Sequence, residues 1–336
     1  MTPSYLDRAR VETRSRFDAL RTDLVDGETL IAGRACVYAT GSFGRLEAGP
    51  FSDLDLFIVV DKFSNNVGAT RTFSGIDETK LAFHLISAVE RSEIAEFDAG
   101  GRFLKSHGIT DFVSALGSQS DDYNNTLTGR VLLLLESKPL LNTKLYDRLL
   151  EDVVAAYFRD FEGNEGGFVP SFLINDIMRL WRTFCVNYEF SRKKGSDDIK
   201  IKNLKLKFSR MLTCYSAIMY LISVHVRSCT VSPPDVIKMA SLSPVERLEH
   251  LKAENCFTDV LSQNRFSSLL DSALDEYSKF LEFTHKPKIE IIADYENLAS
   301  EWKDASYRFG SSIAEALAML GTSKGDFDRL YRIVLI

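Results

Sequence analysis

Asp53 and Asp55 stand one residue apart at the head of the apolar run Leu54-Asp55-Leu56-Phe57-Ile58-Val59-Val60, and Gly41-Ser42 and Gly44-Arg45 come shortly before them. An extended chain points residues i and i+2 to the same face. Asp53 and Asp55 therefore project together, while Leu54 and Leu56 turn the other way, into the core. Two carboxylates this close repel unless cations lie between them. Mg2+ or Mn2+, hard ions that prefer oxygen, are the natural neutralisers. Two such ions about 3.5–4 Å apart can clamp the attacking and leaving oxygens of an in-line phosphoryl displacement. The glycine turn supplies the complement. Glycine lets the backbone approach a triphosphate closely, so that N–H groups and the Ser42 hydroxyl can bond its oxygens. Arg45 would add charge-assisted contacts.

Taken singly, each piece is common: an Asp-x-Asp at a strand head is ordinarily a solvated strand end. The ordered package is far more specific: a β-prone run, Gly-Ser, Gly-Arg, then Ser52-Asp53-Leu54-Asp55 opening an apolar strand. The chain has no GxxxxGK[ST] loop, no kinase-type HRD loop and no GxSxG elbow. Phosphoryl chemistry would thus use the two-aspartate route.

GSFGR followed by SDLDLF resembles the signature of the polymerase β-type nucleotidyltransferase superfamily. Arg after the second glycine resembles the branch that holds the bacterial protein uridylyltransferases and related proteins. The resemblance is strong over residues 35–60 and fainter over 96–210, where DDYNNTLTGRVLLLLESKPLLN, FLINDIMRLWRTFCVNYE and KNLKLKFSR look like a bacterial subgroup. It implies Asp53 and Asp55 as metal ligands and Gly41 and Ser42 as triphosphate contacts. It also implies a third carboxylate on a later strand, which helps activate the acceptor hydroxyl. Asp98, in the short extended run Ile94-Ala95-Glu96-Phe97-Asp98, is the favoured candidate. Asp77 and Asp111 compete, Asp111 being last because it reads as part of a helix start with Thr110 as cap.

These residues need a frame. Residues 4–24 read as an amphipathic helix, 35–40 as a short strand and 54–60 as a second strand. Residues 64–75 read as a loop, 77–91 as a helix or a strand with the helix favoured, and 94–105 as a hairpin around Gly100-Gly101. From about residue 121 the pattern turns helical, with helices over 126–137, 144–158, 172–190, 203–222, 261–283 and 293–319. Ser243, Pro244 and Glu246 form a helix start. The expected fold is α+β: a polymerase β-like nucleotidyltransferase core, with a small mixed sheet and flanking helices, then an all-helical C-terminal domain. The expected domains are 1–122 and 123–336, with the helical part as an alternative packing surface for helix 4–24.

The helical part carries further charged groups. Lys200, Lys202, Lys205, Lys207 and Arg210 cannot all share one helix face. A solvated face is the plain reading, and contact of Lys202 and Lys205 with the triphosphate is the functional one, as in related enzymes that place helical-domain lysines there. Asp176 with Arg179 and Arg182 reads first as an ion-pair network, and Asp121 to Asn125 as a helix start rich in capping residues.

The composition sets outer limits. A chain of 336 residues with 45% hydrophobic content can bury a substantial core, and a net charge of -6 argues against a general nucleic-acid coat while leaving room for a local basic groove. The five cysteines form no CxxC pair and share no ligand spacing with the histidines, which disfavours zinc and a disulfide framework and suggests buried thiols in a reducing compartment. The first residues have no apolar run of the signal-peptide kind. Met211 to Val226 is too short and too polar to span a bilayer and reads as a buried helix. The expected location is cytoplasmic, without membrane attachment, and oligomerisation is left open.

The expected activity is metal-dependent transfer of a nucleoside monophosphate from an NTP to a hydroxyl, with release of pyrophosphate and two Mg2+ or Mn2+ ions as cofactors. A nucleotide or oligonucleotide acceptor, as in signal or short-polymer synthesis and phage defence, is slightly favoured over a protein acceptor. A decayed, non-catalytic nucleotide sensor is the contrasting class.

Overall fold

The computed structural model describes residues 4–61, 72–95, 97, 104–195 and 198–336, the side chains of residues 122 and 123 excepted. The chain forms two compact units, Met1–Ala156 and Tyr157–Ile336. The division falls later than the expected break near residue 122. The reason is a strand that the sequence reading missed, Lys138–Leu141, which returns the chain to the sheet of the first unit.

That sheet has four strands, β1 (Ala35–Ala39), β2 (Leu56–Val60), β3 (Ser106–Gly108) and β4 (Lys138–Leu141), in the order β3-β2-β1-β4. Strand β1 is antiparallel to β2 and to β4, while β3 is parallel to β2, so the sheet is mixed. One face carries Ala35, Val37, Ala39, Leu56, Ile58 and Val60. It packs on helices α1 (Tyr5–Asp23), α2 (Val25–Ile31) and α4 (Gly75–Arg91), a four-residue turn of helix, α3 (Gly41–Gly44), lying between β1 and β2. Helix α1 begins in a Ser4/Asp7 capping box and buries Ala9, Thr13, Phe17 and Leu20, spaced by whole turns. It thus belongs to the first unit. On the other face Tyr38 stacks on Phe57 at 5.5 Å and donates its hydroxyl to the Gly129 carbonyl at 3.0 Å. This ties the sheet to α7 (Thr126–Leu135), which follows α5 (Ile109–Ser114) and α6 (Gln119–Tyr123). Helix α8 (Thr143–Tyr157) follows β4, and all of it but its last residue belongs to the first unit.

The hairpin expected over 94–105 is not formed by the described residues around it. Ala95 bridges Asp53 in parallel and β3 also runs parallel to β2, whereas hairpin arms run in opposite directions. Residues 98–103, including the expected turn, lie outside the described residues, as do residues 64–71 of the expected loop.

The second unit is helical: α9 (Ser171–Lys193), α10 (Ile199–Lys205), a π-helical turn (Leu206–Arg210), α11 (Met211–Ser228), α12 (Pro233–Ser241), α13 (Pro244–Ala253), α14 (Val260–Thr284), α15 (Lys288–Gly321) and α16 (Arg329–Leu335). Helix α13 starts in the expected Ser243/Glu246 capping box with Pro244 at its head. The apolar run from Met211 is a buried core helix. Phe208, on the π-helical turn, stacks on Phe280 at 4.8 Å and meets Phe309 at 5.0 Å. Among the described residues no helix is long and apolar enough to cross a membrane. Cys36 and Cys214 are buried, but Cys229 is exposed, so burial of every thiol does not hold.

Candidate active site

The site grows from the exit of β1 and the approach to β2. The ladder between them extends past its last strand pair, Ala39 with Leu56, because the Thr40 N–H donates to the Asp55 carbonyl at 2.8 Å. This fixes residue 55 opposite residue 40 and keeps the chain extended. Leu54 and Leu56 enter the core, and by alternation Asp53 and Asp55 share the opposite face with Phe57. Asp53 is half-buried and Asp55 exposed.

After Thr40 the chain turns sharply. Gly41 takes φ +62°, in the left-handed region, and a Cβ there would lie 2.4 Å from Asp55 Oδ2. The Asp55 carboxylate therefore rests against the backbone of the turn, at a place that no other residue type would leave open. Ser42 follows and is half-buried. The turn is braced from behind by α1. Arg16 lies over the Phe43 ring at 4.8 Å and donates to the Gly49 carbonyl at 2.6 Å, and Thr13 Oγ1 accepts from the Ala48 N–H at 2.9 Å. A tight turn, in which Ser52 Oγ accepts from the Gly49 N–H at 2.9 Å, then delivers the chain to Asp53.

Arg45, expected as a phosphate contact, follows at the end of the turn. It is buried, and its guanidinium donates to Glu47 Oε2 and to Glu136 Oε2, each at 2.9 Å. Sequence reasoning missed both carboxylates. Glu47 is two residues away and was legible as a partner, whereas Glu136 is 91 residues distant and had no signal.

The expected candidates for a third carboxylate lie apart from one another in role. Asp77 is buried in the capping box of α4 and pairs with Arg34 at 3.3 Å. Asp111 accepts from the Gly108 N–H at 2.7 Å at the head of α5, so the cap is Gly108 and not Thr110. Both are committed to helix starts. Asp98 lies outside the described residues.

The other candidates are engaged locally. Asp121, fully buried, forks onto Arg130 at 2.6 and 2.9 Å. Asp176 binds Arg179 at 2.7 Å and the Tyr157 hydroxyl at 2.7 Å. Lys202 and Lys205 belong to the second unit. Lys202 sits 3.2 Å from Asp198, and its neighbour Lys200 sits 3.0 Å from Glu296, as on a solvated, ion-paired helix face.

The donor set suits a hard divalent cation. Two carboxylates leave one face of one extended segment, and Gly41 gives room for the second. Among the described residues no group of three His, Cys, Asp or Glu side chains is arranged to hold an ion.

Residues 28–99 match the family model of the nucleotidyltransferase domain, consistent with the polymerase β-type superfamily. The matched segment contains the turn and both aspartates. No curated protein and no solved structure is significantly similar to the chain.

Proposed function

From the nucleotidyltransferase domain that the chain carries at residues 28–99, we propose that it transfers a nucleoside monophosphate from an NTP to a hydroxyl acceptor and releases pyrophosphate. The observation that supports this most is the nesting of the Asp55 carboxylate on Gly41. It joins the acidic pair to the glycine turn in one site, as the reaction requires.

In this reading the backbone of Gly41 and the Ser42 hydroxyl bind the triphosphate. Asp53 and Asp55 hold the divalent cations, Mg2+ or Mn2+. Bound there, such ions would neutralise phosphate charge and ease loss of the acceptor proton. The acceptor oxygen bonds to the α-phosphorus, the bond from that phosphorus to the bridging oxygen of the β-phosphate breaks, and pyrophosphate leaves. Asp98 is the proposed third carboxylate. It stands three positions after Ala95, the residue bridged to Asp53, which favours it over the committed Asp77 and Asp111. It would accept the hydroxyl proton.

For the acceptor we favour a nucleotide or oligonucleotide, making a signal molecule or short polymer of the kind used in phage defence. The support is size: a second compact unit, Tyr157–Ile336, accompanies the catalytic one and exceeds what a minimal protein-modifying toxin needs. Mass spectrometry after incubation with each NTP and Mg2+ or Mn2+ tests the choice. A nucleotide-sized product supports it, and a mass increase of one nucleoside monophosphate on a protein would replace it with protein nucleotidylylation. Nucleotide binding without any product would point to a sensor.

A further inference from the structure

We infer that Arg45 is a positioning residue, which clamps the Gly41–Ser42 turn to the end of α7 and so makes Glu136 part of the site's frame. The inference rests on the nucleotidyltransferase reading for its kinetic consequence, though not for its geometry.

The turn is held on two sides at van der Waals contact. At its start, Gly41 lies against the Asp55 carboxylate. At its end, a Cβ on Gly44 would lie 2.0 Å from the Glu136 carbonyl oxygen and 2.8 Å from that of Ala39. The turn therefore has no clearance toward α7. Arg45, next in sequence, donates its backbone N–H to the Gly41 carbonyl at 3.0 Å and closes the turn. Its guanidinium then reaches Glu47 and Glu136, both at 2.9 Å, with the three side chains only 8%, 4% and 0% exposed. Three such buried charges are costly to take out of water; removing Arg45 would leave two carboxylates facing each other, and neutralising Glu136 would weaken the charge-assisted bond that ties the guanidinium to the end of α7. A shifted turn would carry Arg45 away from Glu136 and leave that carboxylate without this partner, so the group favours the one arrangement seen. The turn it fixes is the one that carries Ser42 and the Asp55 nest. Glu136 lies beyond residues 28–99, so the working site extends past the matched segment.

The test uses the full-length chain with Glu136→Gln and Arg45→Lys. Glu136→Gln keeps the shape and removes one charge, and Arg45→Lys keeps the charge and removes the fork. Hydrogen exchange of the amides of residues 41–47 is compared with that of β2, and NTP turnover is measured alongside. The expected result is exchange about 10-fold faster in 41–47 with β2 unchanged, and a KM for NTP raised about 10-fold with a smaller change in kcat. Arg45→Lys should fall between Glu136→Gln and wild type, and it carries the test if Glu136→Gln does not fold. Exchange in 41–47 equal to wild type, or raised equally in β2, overturns the clamp whatever the activity. If the wild-type chain shows no turnover, the functional reading fails while the exchange data still decide the clamp. If the wild type is active and both variants match it in KM and exchange, the clamp alone fails.

Discussion

The Asp55 carboxylate occupies the space where a side chain on residue 41 would have to begin: a Cβ on Gly41 would stand 2.4 Å from Asp55 Oδ2. The relationship joins the two halves of the sequence motif. It explains why the position after Thr40 is glycine on two counts, space and a φ of +62°.

Gly41→Ala is therefore expected to damage activity far more than stability. The left-handed backbone costs an alanine about 1–2 kcal/mol. The displaced carboxylate should cost about 100-fold in turnover, the usual scale for a 1 Å error in a positioned group. Thermal melts and initial rates on the same preparation check this. A variant that melts early but turns over NTP like wild type would show that the nest does not matter to catalysis.

The pair formed by Asp121 and Arg130 makes a prediction about the fold alone. Both side chains are fully buried and joined at 2.6 and 2.9 Å. Asp121→Asn leaves the guanidinium without its anion and is expected to destabilise the first unit by about 3–5 kcal/mol. Urea unfolding measures it, and a loss under about 1 kcal/mol would mean that Arg130 finds another partner or water.

In the second unit, Asp328 sets a pH dependence. Burial pushes its carboxyl up, but the His225 ring, 2.6 Å away, and the Leu330 and Tyr331 N–H groups outweigh that and hold it below the ordinary carboxylate value. A lowered folded-state value means the unfolded chain binds the proton more readily. The stabilisation is then full above the ordinary carboxylate range and is lost as pH falls through the folded value. Asp328→Asn should be less stable than wild type at pH 7, and the gap should narrow between about pH 5 and pH 3. A gap that stays constant across that window would show that the carboxylate's charge is not what stabilises α16.

Much of this was legible in the sequence, for identifiable reasons. The strands around Val37 and Ile58 are β-prone runs, and the helices have long apolar stripes and explicit caps at Ser4 and Ser243. The alternation from Asp53 to Leu56 gave the facing of the acidic pair. What was missed lacked a local signal. Strand β4 is short and contains Pro139, which reads as a break in a strand even though an edge strand tolerates it. Arg45 reads as a phosphate ligand because its partner Glu136 is brought to it only by tertiary folding. Residues 126–156 read as mostly helical, yet through β4 they join the sheet's own compact unit.

In the proposed function Asp53 and Asp55, with the Gly41–Ser42 turn, carry nucleotidyl transfer. Pyrophosphate release from NTPs in the presence of Mg2+ or Mn2+ tests it most directly, comparing wild type with Asp53→Ala and Asp55→Ala. The expected result is release by wild type and a loss of about 1,000-fold or more in each variant, since each removes several kcal/mol of charge stabilisation. Release by both variants at the wild-type rate would contradict the claim.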